Sequence, residues 1–153
     1  MPLKETERYD EFFVRQMKSV FGDDIELIES AENYKVRCWF TIKFWHRPTK
    51  LYIIIEADYG RFVARFEQED GCFAHLYQIQ RFERRVSEKN IEAVVDLIKT
   101  IINQPITFFK SIGDGHLYRK EGDTFIKLSR EELIAYANGN TAKSASSNSG
   151  NSN

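Results

Sequence analysis

Few side chains in this chain can act as nucleophile, base or metal ligand, and they are poorly spaced for such work. The histidines are His46, His75 and His116, and the cysteines are Cys38 and Cys72. A zinc site draws its ligands in tight sequence pairs, and histidines scattered this widely do not supply them. Cys72 lies three residues before His75, but in a strand side chains at odd separation point to opposite faces, so the two do not form a nucleophile–base pair. The cysteines read as small apolar sheet residues rather than a disulfide framework or a metal pair. There is no Gly-x-Ser-x-Gly elbow. The acidic groups Asp23, Asp24, Glu26 and Glu29, and Glu67, Glu69 and Asp70, fall at element boundaries, where carboxylates are solvated or used in turns. Glycines occur singly or as Gly113-Asp114-Gly115, so no phosphate-cradling loop is present. The expectation is a non-enzymatic protein with no cofactor and no metal; an enzyme whose site is invisible in sequence is the second alternative.

One stretch stands out. From Asn33 to Ile55 the chain carries Lys35, Arg37, Lys43, Arg47 and Lys50 and no Asp or Glu, with Trp39 and Trp45 among them. Residues 34 to 45 alternate as a strand does. Tyr34, Val36, Cys38, Phe40, Ile42 and Phe44 fall on one face; Lys35, Arg37, Trp39, Thr41, Lys43 and Trp45 fall on the other. Arg61 and Arg65 join this second face from a neighbouring strand. Three readings follow. The tryptophans pack beneath a helix; or they anchor a protein partner, since Trp and Arg dominate interface hot spots; or they stack the bases of single-stranded nucleic acid while the cations follow its backbone. The candidate partner-binding residues are Arg37, Trp39, Lys43, Trp45, Arg47, Arg61 and Arg65. The preceding segment, Gly22 to Glu32, has five acidic residues and no base. A second basic cluster, Arg81, Arg84 and Arg85, reads as a solvated edge.

The elements that position these residues follow from periodicity. Tyr9, Phe13, Met17 and Val20 mark an amphipathic helix over residues 4 to 21, ended by Gly22. Strands are expected at Ile25 to Glu29, Tyr34 to Trp45, Leu51 to Ala57, Arg61 to Glu67 and Phe73 to Phe82. The short turns between them, such as Asp58-Tyr59-Gly60, imply an antiparallel meander, because parallel strands need long crossovers. Ser87 caps a helix through residue 103, striped by Ile91, Val94, Val95, Ile98, Ile101 and Ile102. Three short strands follow, at Ile106 to Ile112, His116 to Lys120 and Thr124 to Leu128. Ser129-Arg130-Glu131-Glu132 is a capping box for a last short helix. The fold class is therefore α+β, with the two longer helices packed on the Phe40, Ile42, Phe62 and Phe66 face.

Length and composition agree with one domain over residues 1–138. A chain of 153 residues, 42% hydrophobic, can bury a core without disulfides. A net charge of -1 removes any global attraction to nucleic acid. Residues 139–153 have no large apolar side chain and read as a disordered tail. The N-terminus lacks the apolar stretch of a secretory signal, and no run is long enough to span a membrane; a cytoplasmic location follows by default. The order of elements resembles that of small secretion chaperones, and in size and lack of catalytic groups the chain is similar to immunity proteins and phage-encoded inhibitors. Those resemblances imply an accessory, inhibitor, immunity or chaperone-like protein whose partner is another protein. Single-stranded nucleic acid is the alternative partner for the same face, and a homodimer remains open.

Overall fold

A computed structural model of the chain describes residues 2–138; the expected tail at 139–153 lies outside the described residues. Helix α1 spans Tyr9–Phe21. It starts later than its periodicity suggests, because the chain ahead of it turns at Lys4 to Glu7 instead of joining the helix. Glu11 accepts the Arg8 N–H at 2.9 Å, which satisfies one donor at the helix start. Arg15 reaches back to Glu7 at 2.7 Å and to the Pro2 carbonyl at 2.7 Å, tying the leading segment down. Gly22, at φ +57°, ends the helix in a conformation that a side chain would strain.

A short 3-10 turn leads into β1 (Ile25–Asn33), followed by β2 (Trp39–His46), β3 (Leu51–Asp58), β4 (Arg61–Glu67) and β5 (Phe73–His75). A four-residue helix, α2 (Leu76–Ile79), and the longer α3 (Glu88–Ile101) come next. Then β6 (Phe109–Ser111), β7 (Leu117–Glu121), β8 (Thr124–Lys127) and α4 (Arg130–Ala137) complete the described residues. Every strand pairs antiparallel with the next in sequence, giving one sheet in the order β1 to β8. The α+β meander expected from the turns is the fold observed. None of the described helices is long and apolar enough to cross a membrane.

The pleat decides what is core. Phe40, Ile42 and Phe44 of β2, Ile53, Ile55 and Ala57 of β3, and Phe62, Ala64 and Phe66 of β4 all point to one face and are buried. Against them lie Phe12, Phe13 and Met17 of α1 and Ile91, Val94, Val95 and Ile98 of α3. Phe13 is the wedge: its ring meets Phe62 edge-on at 5.5 Å and Phe40 at 6.5 Å. Ser87 caps α3 as expected, its hydroxyl accepting the Asn90 N–H at 3.1 Å.

Four expectations need correction. Residues 34–38 are not the start of a long strand but the reversal between β1 and β2. Arg37 and Cys38 stand there at φ +61° and +52°, and the alternation that suggested a strand is broken. The partner strand is Ile25–Asn33, longer than expected and bulged at Ile28, its apolar signal weak because most of its side chains are exposed at the sheet edge. The fifth strand stops at His75, where the chain coils into α2 instead of continuing to Phe82. Among the C-terminal strands, β6 and β8 are shorter than expected, and β7 has its expected length but starts one residue later.

The C-terminal strands are joined to the meander by few contacts, chiefly the Phe73–Phe109 bridge. Lys120 reinforces the junction, donating to Asp70 at 2.8 Å and Gln68 at 2.9 Å. Ser129 and Glu132 form the expected capping box, with bonds of 3.1 and 2.9 Å. Tyr136 of α4 packs on Phe109 at 5.0 Å, and burial pushes its phenol up to about 12.

Two outcomes test this packing. Phe13→Ala removes a fully buried ring and is expected to destabilise the protein by about 3–5 kcal/mol in urea unfolding; a loss under about 1 kcal/mol contradicts the wedge. The second concerns Asp70, whose carboxyl is held down at about 2 by Lys120 and then by the Cys72 N–H. Its folded value lies below the unfolded value of about 4. The stabilisation is therefore full above pH about 4 and is lost as pH falls towards 2. Asp70→Asn should flatten the pH dependence of Tm in that window by an amount worth at most about 1 kcal/mol, because the pair is solvent-screened. Identical slopes in both proteins contradict the staple.

Candidate partner-binding face

Burying Phe40, Ile42 and Phe44 forces their neighbours Trp39, Thr41, Lys43 and Trp45 onto the opposite face of β2. The register then builds cross-strand rows. Trp45 stands beside Glu26, Tyr52 and, through Tyr52, Glu67. Lys43 stands beside Glu29 and Ile54, and Ile54 beside Arg65. Thr41 stands beside Glu56, and Glu56 beside Val63. Neither α1 nor α3 covers this face; both lie on the phenylalanine side. Both tryptophans are partly buried. Trp45 tilts against Tyr52 at 4.8 Å, and the Lys43 ammonium sits 4.3 Å over the same ring. Ile54, at 6% exposure, is sealed between them and Arg65.

Most of the basic side chains expected on this face are engaged by acids of the same molecule. Arg65 bridges Glu56 at 2.6 Å and Glu67 at 3.3 Å. Arg47, in the turn after β2, pairs with Glu26 at 3.1 Å and also donates to the Asp23 carbonyl. Arg37 lies in the β1–β2 turn, not on the strand. Its Nε approaches Asp58 at 3.3 Å and its guanidinium stacks 5.0 Å over Tyr59. Arg61 has no carboxylate within ion-pair distance among the described residues. The site residues thus form two groups. Lys43, Trp45 and Arg65 cluster around Tyr52 and Ile54, with Arg47 beside them, and Trp39, Arg37 and Arg61 gather at the other end of the sheet. Six residues of strand, about 20 Å, separate the tryptophans.

The second group borders an open cleft of about 280 Å³, lined by Trp39, Glu56, Asp58, Arg61, Val63 and Arg84 among others. Three of the four non-glycine residues at positive φ among the described residues lie in the two turns beside it; the fourth, Lys50, lies in the turn at the other end of β2. Tyr59 occupies the first central position of the β3–β4 hairpin at φ +53°, where Asn or Gly is the favoured residue, yet it is 71% exposed. Arg37 and Cys38 share that left-handed conformation across the gap, and the Tyr59 N–H donates to the Arg37 carbonyl at 2.9 Å. Val36, in the same β1–β2 turn as Arg37, is 50% exposed. Non-glycine residues held at positive φ tend to gather at functional sites.

Sequence reasoning missed Tyr52, Glu56, Asp58 and Arg84. Arg84 is brought in by backbone pairing: the Phe62 N–H donates to its carbonyl at 2.9 Å, and the Val86 N–H to the Gly60 carbonyl at 2.8 Å. No side-chain pattern announces such a bridge. Tyr52 and Glu56 were legible as the outward residues of β3, had that strand's alternation been followed past its apolar run.

The histidines and the buried Cys72 do not line the cleft. His46 is buried against Phe21, bonded through Nδ1 to Thr49 at 2.7 Å, and burial pushes its pKa down. Burial, then Arg65, likewise lowers His75. Cys72 is buried, and desolvation raises its thiol. Among the described residues no group of three or more His, Cys, Asp or Glu is placed to hold a metal ion. No protein-family model matches the chain, and no curated protein or solved structure matches it either, so its reading rests on this geometry.

Proposed function

We propose that the chain is a small, non-enzymatic protein-binding module of the accessory or inhibitor type, which engages its partner through the face of β2 to β4 that α1 and α3 leave uncovered. The observation that carries this reading is the make-up of that face: Trp39 and Trp45 half-exposed at its two ends, with Tyr52 and Ile54 between. Its cations are largely neutralised by Glu26, Glu56, Asp58 and Glu67. Large aromatic side chains ringed by paired charges suit a partner that desolvates the surface. A nucleic-acid backbone needs unpaired cations in a row, and here Arg37, Arg47 and Arg65 each already hold a carboxylate; this favours a protein over single-stranded nucleic acid. A second copy of the chain is one protein that the face could take. Both cysteines are free thiols, which suits the reducing cytoplasm.

The test is partner capture from nuclease-treated lysate by the immobilised chain, compared with two variants. Trp39→Ala with Arg37→Ala is expected to weaken capture at least about tenfold while circular dichroism stays unchanged. Lys99→Ala, on the exposed side of α3, is expected to leave capture intact. Raising salt from about 50 to 200 mM should reduce binding by less than about tenfold, whereas a phosphate-tracking surface loses about a thousandfold or more. Undiminished capture by the Trp39/Arg37 variant overturns the proposal, and the steep salt response hands the face to nucleic acid.

A further inference from the structure

The cleft beside Trp39 has an electrostatic character that the rest of the face lacks. Neither cation that faces its two carboxylates lines it: Arg65 bonds Glu56 at 2.6 Å, and Arg37 approaches Asp58 at 3.3 Å, although the Asp58 Oδ1 accepts no hydrogen bond among the described residues. Its own two cations are left over. Arg61 stands opposite Asp58 in the hairpin register, yet has no carboxylate within ion-pair distance among the described residues. Arg84 has no acidic partner among them either; its guanidinium lies 4.3 Å over the ring of Tyr77. That stacking, with the 2.9 Å bond from the Phe62 N–H to the Arg84 carbonyl, fixes the residue at the cleft edge. The cleft is therefore lined by two arginines without a carboxylate partner among the described residues, Arg61 and Arg84, beside an apolar wall of Trp39 and Val63.

We propose that this cleft is the anchor pocket of the face, and that it takes an acidic segment of a protein partner. One Asp or Glu carboxylate would sit between Arg61 and Arg84, with an adjoining apolar side chain laid on Trp39. The inference rests on the protein-binding reading and gives it a recognition chemistry. Guanidinium groups match the planar carboxylate with paired N–H donors. Glu56 and Asp58, acceptors only, face the same space and set a limit on how much negative charge it tolerates, which favours a singly charged carboxylate over a phosphate. The apolar wall removes water from one side of the ion pair and so strengthens it. The bond from the Tyr59 N–H to the Arg37 carbonyl ties together the two turns next to the cleft before a ligand arrives.

The test uses defined peptides. In a Trp45→Phe protein, Trp39 is the remaining tryptophan, and its indole N–H signal can be followed by nitrogen-correlated NMR. Acetyl-Leu-Glu-Leu-amide is expected to shift that signal saturably and to bind about fivefold or more tighter than its Gln analogue. Arg61→Gln with Arg84→Gln should erase the preference. Since Arg61 is exposed, Arg61→Gln alone keeps the test valid should the double variant fold poorly. Equal binding of the Glu and Gln peptides, no movement of the Trp39 signal, or a preference that survives both substitutions overturns the proposal. Tighter binding of a phosphoserine analogue or of a short oligothymidine also overturns it, by assigning the guanidinium pair to phosphate. Should the peptides fail while Trp39/Arg37 substitution still abolishes partner capture, the pocket falls and the face reading stands. Should that substitution leave capture intact, both fall.

Discussion

The alternation of the three central strands is the constraint from which the rest of the molecule follows. Packing Phe13 between Phe40 and Phe62, with α3 closing over Ile53 and Ile55, assigns every second residue of β2, β3 and β4 to the core. The remaining residues then have no choice of side. Trp39, Lys43, Trp45, Tyr52, Glu56, Arg61 and Arg65 are carried together onto the other face by the pleat and the register, not by attraction for one another. A one-residue slip would exchange the two sets and bury charge, so the burial of the phenylalanines also fixes the composition of the outer surface.

That α1 and α3 would pack on the Phe40 and Phe62 face was expected from the apolar residues at every second position of β2 to β4, but Trp39, Trp45, Ile54 and Val63 on the other face left open whether a helix covers that side too. The cap at Ser87 and the capping box at Ser129 were legible: each is a local hydrogen-bonding pattern that needs no tertiary partner. The loop at residues 34–38 was not. Tyr34, Val36 and Cys38 continue the period of the strand that follows, and the reversal is forced only by β1, an edge strand whose exposed side chains give almost no apolar signal. Phe73 to Phe82 misleads likewise, for an apolar run of that length suits a short helix as well as a strand. Within the candidate site, the strand residues Trp39, Lys43 and Trp45 were readable from spacing. Arg37 was assigned to the strand and lies in the turn. Arg84 depends on backbone pairing between segments far apart in sequence, which leaves no trace in side-chain type.

The charge pattern gains its meaning only in three dimensions. Asn33 to Ile55 is free of acid along the chain, yet Arg47 meets Glu26, Lys43 stands beside Glu29 and Arg37 approaches Asp58, so a basic stretch in sequence becomes a balanced surface in space. Neutralisation of that kind leaves aromatic area as the dominant property of the face. Arg61 and Arg84 escape it, and they do so where the sheet end opens into a cleft and where non-glycine residues hold positive φ. Two independent features, arginines without a carboxylate partner among the described residues and turn residues at positive φ, thus lie at one end of the sheet, while the opposite end, around Trp45 and Tyr52, is closed by ring packing.

The central claim is that the tryptophan face carries no covering element. Quenching of tryptophan fluorescence by acrylamide, a neutral probe, tests it most directly in Trp39→Phe and Trp45→Phe proteins, each with one tryptophan left. Half-exposed indoles should be quenched well above the level of a core tryptophan, at both positions. Quenching of either residue as weak as that of a fully buried indole would mean that the face is covered, and would contradict the surface on which the binding role rests.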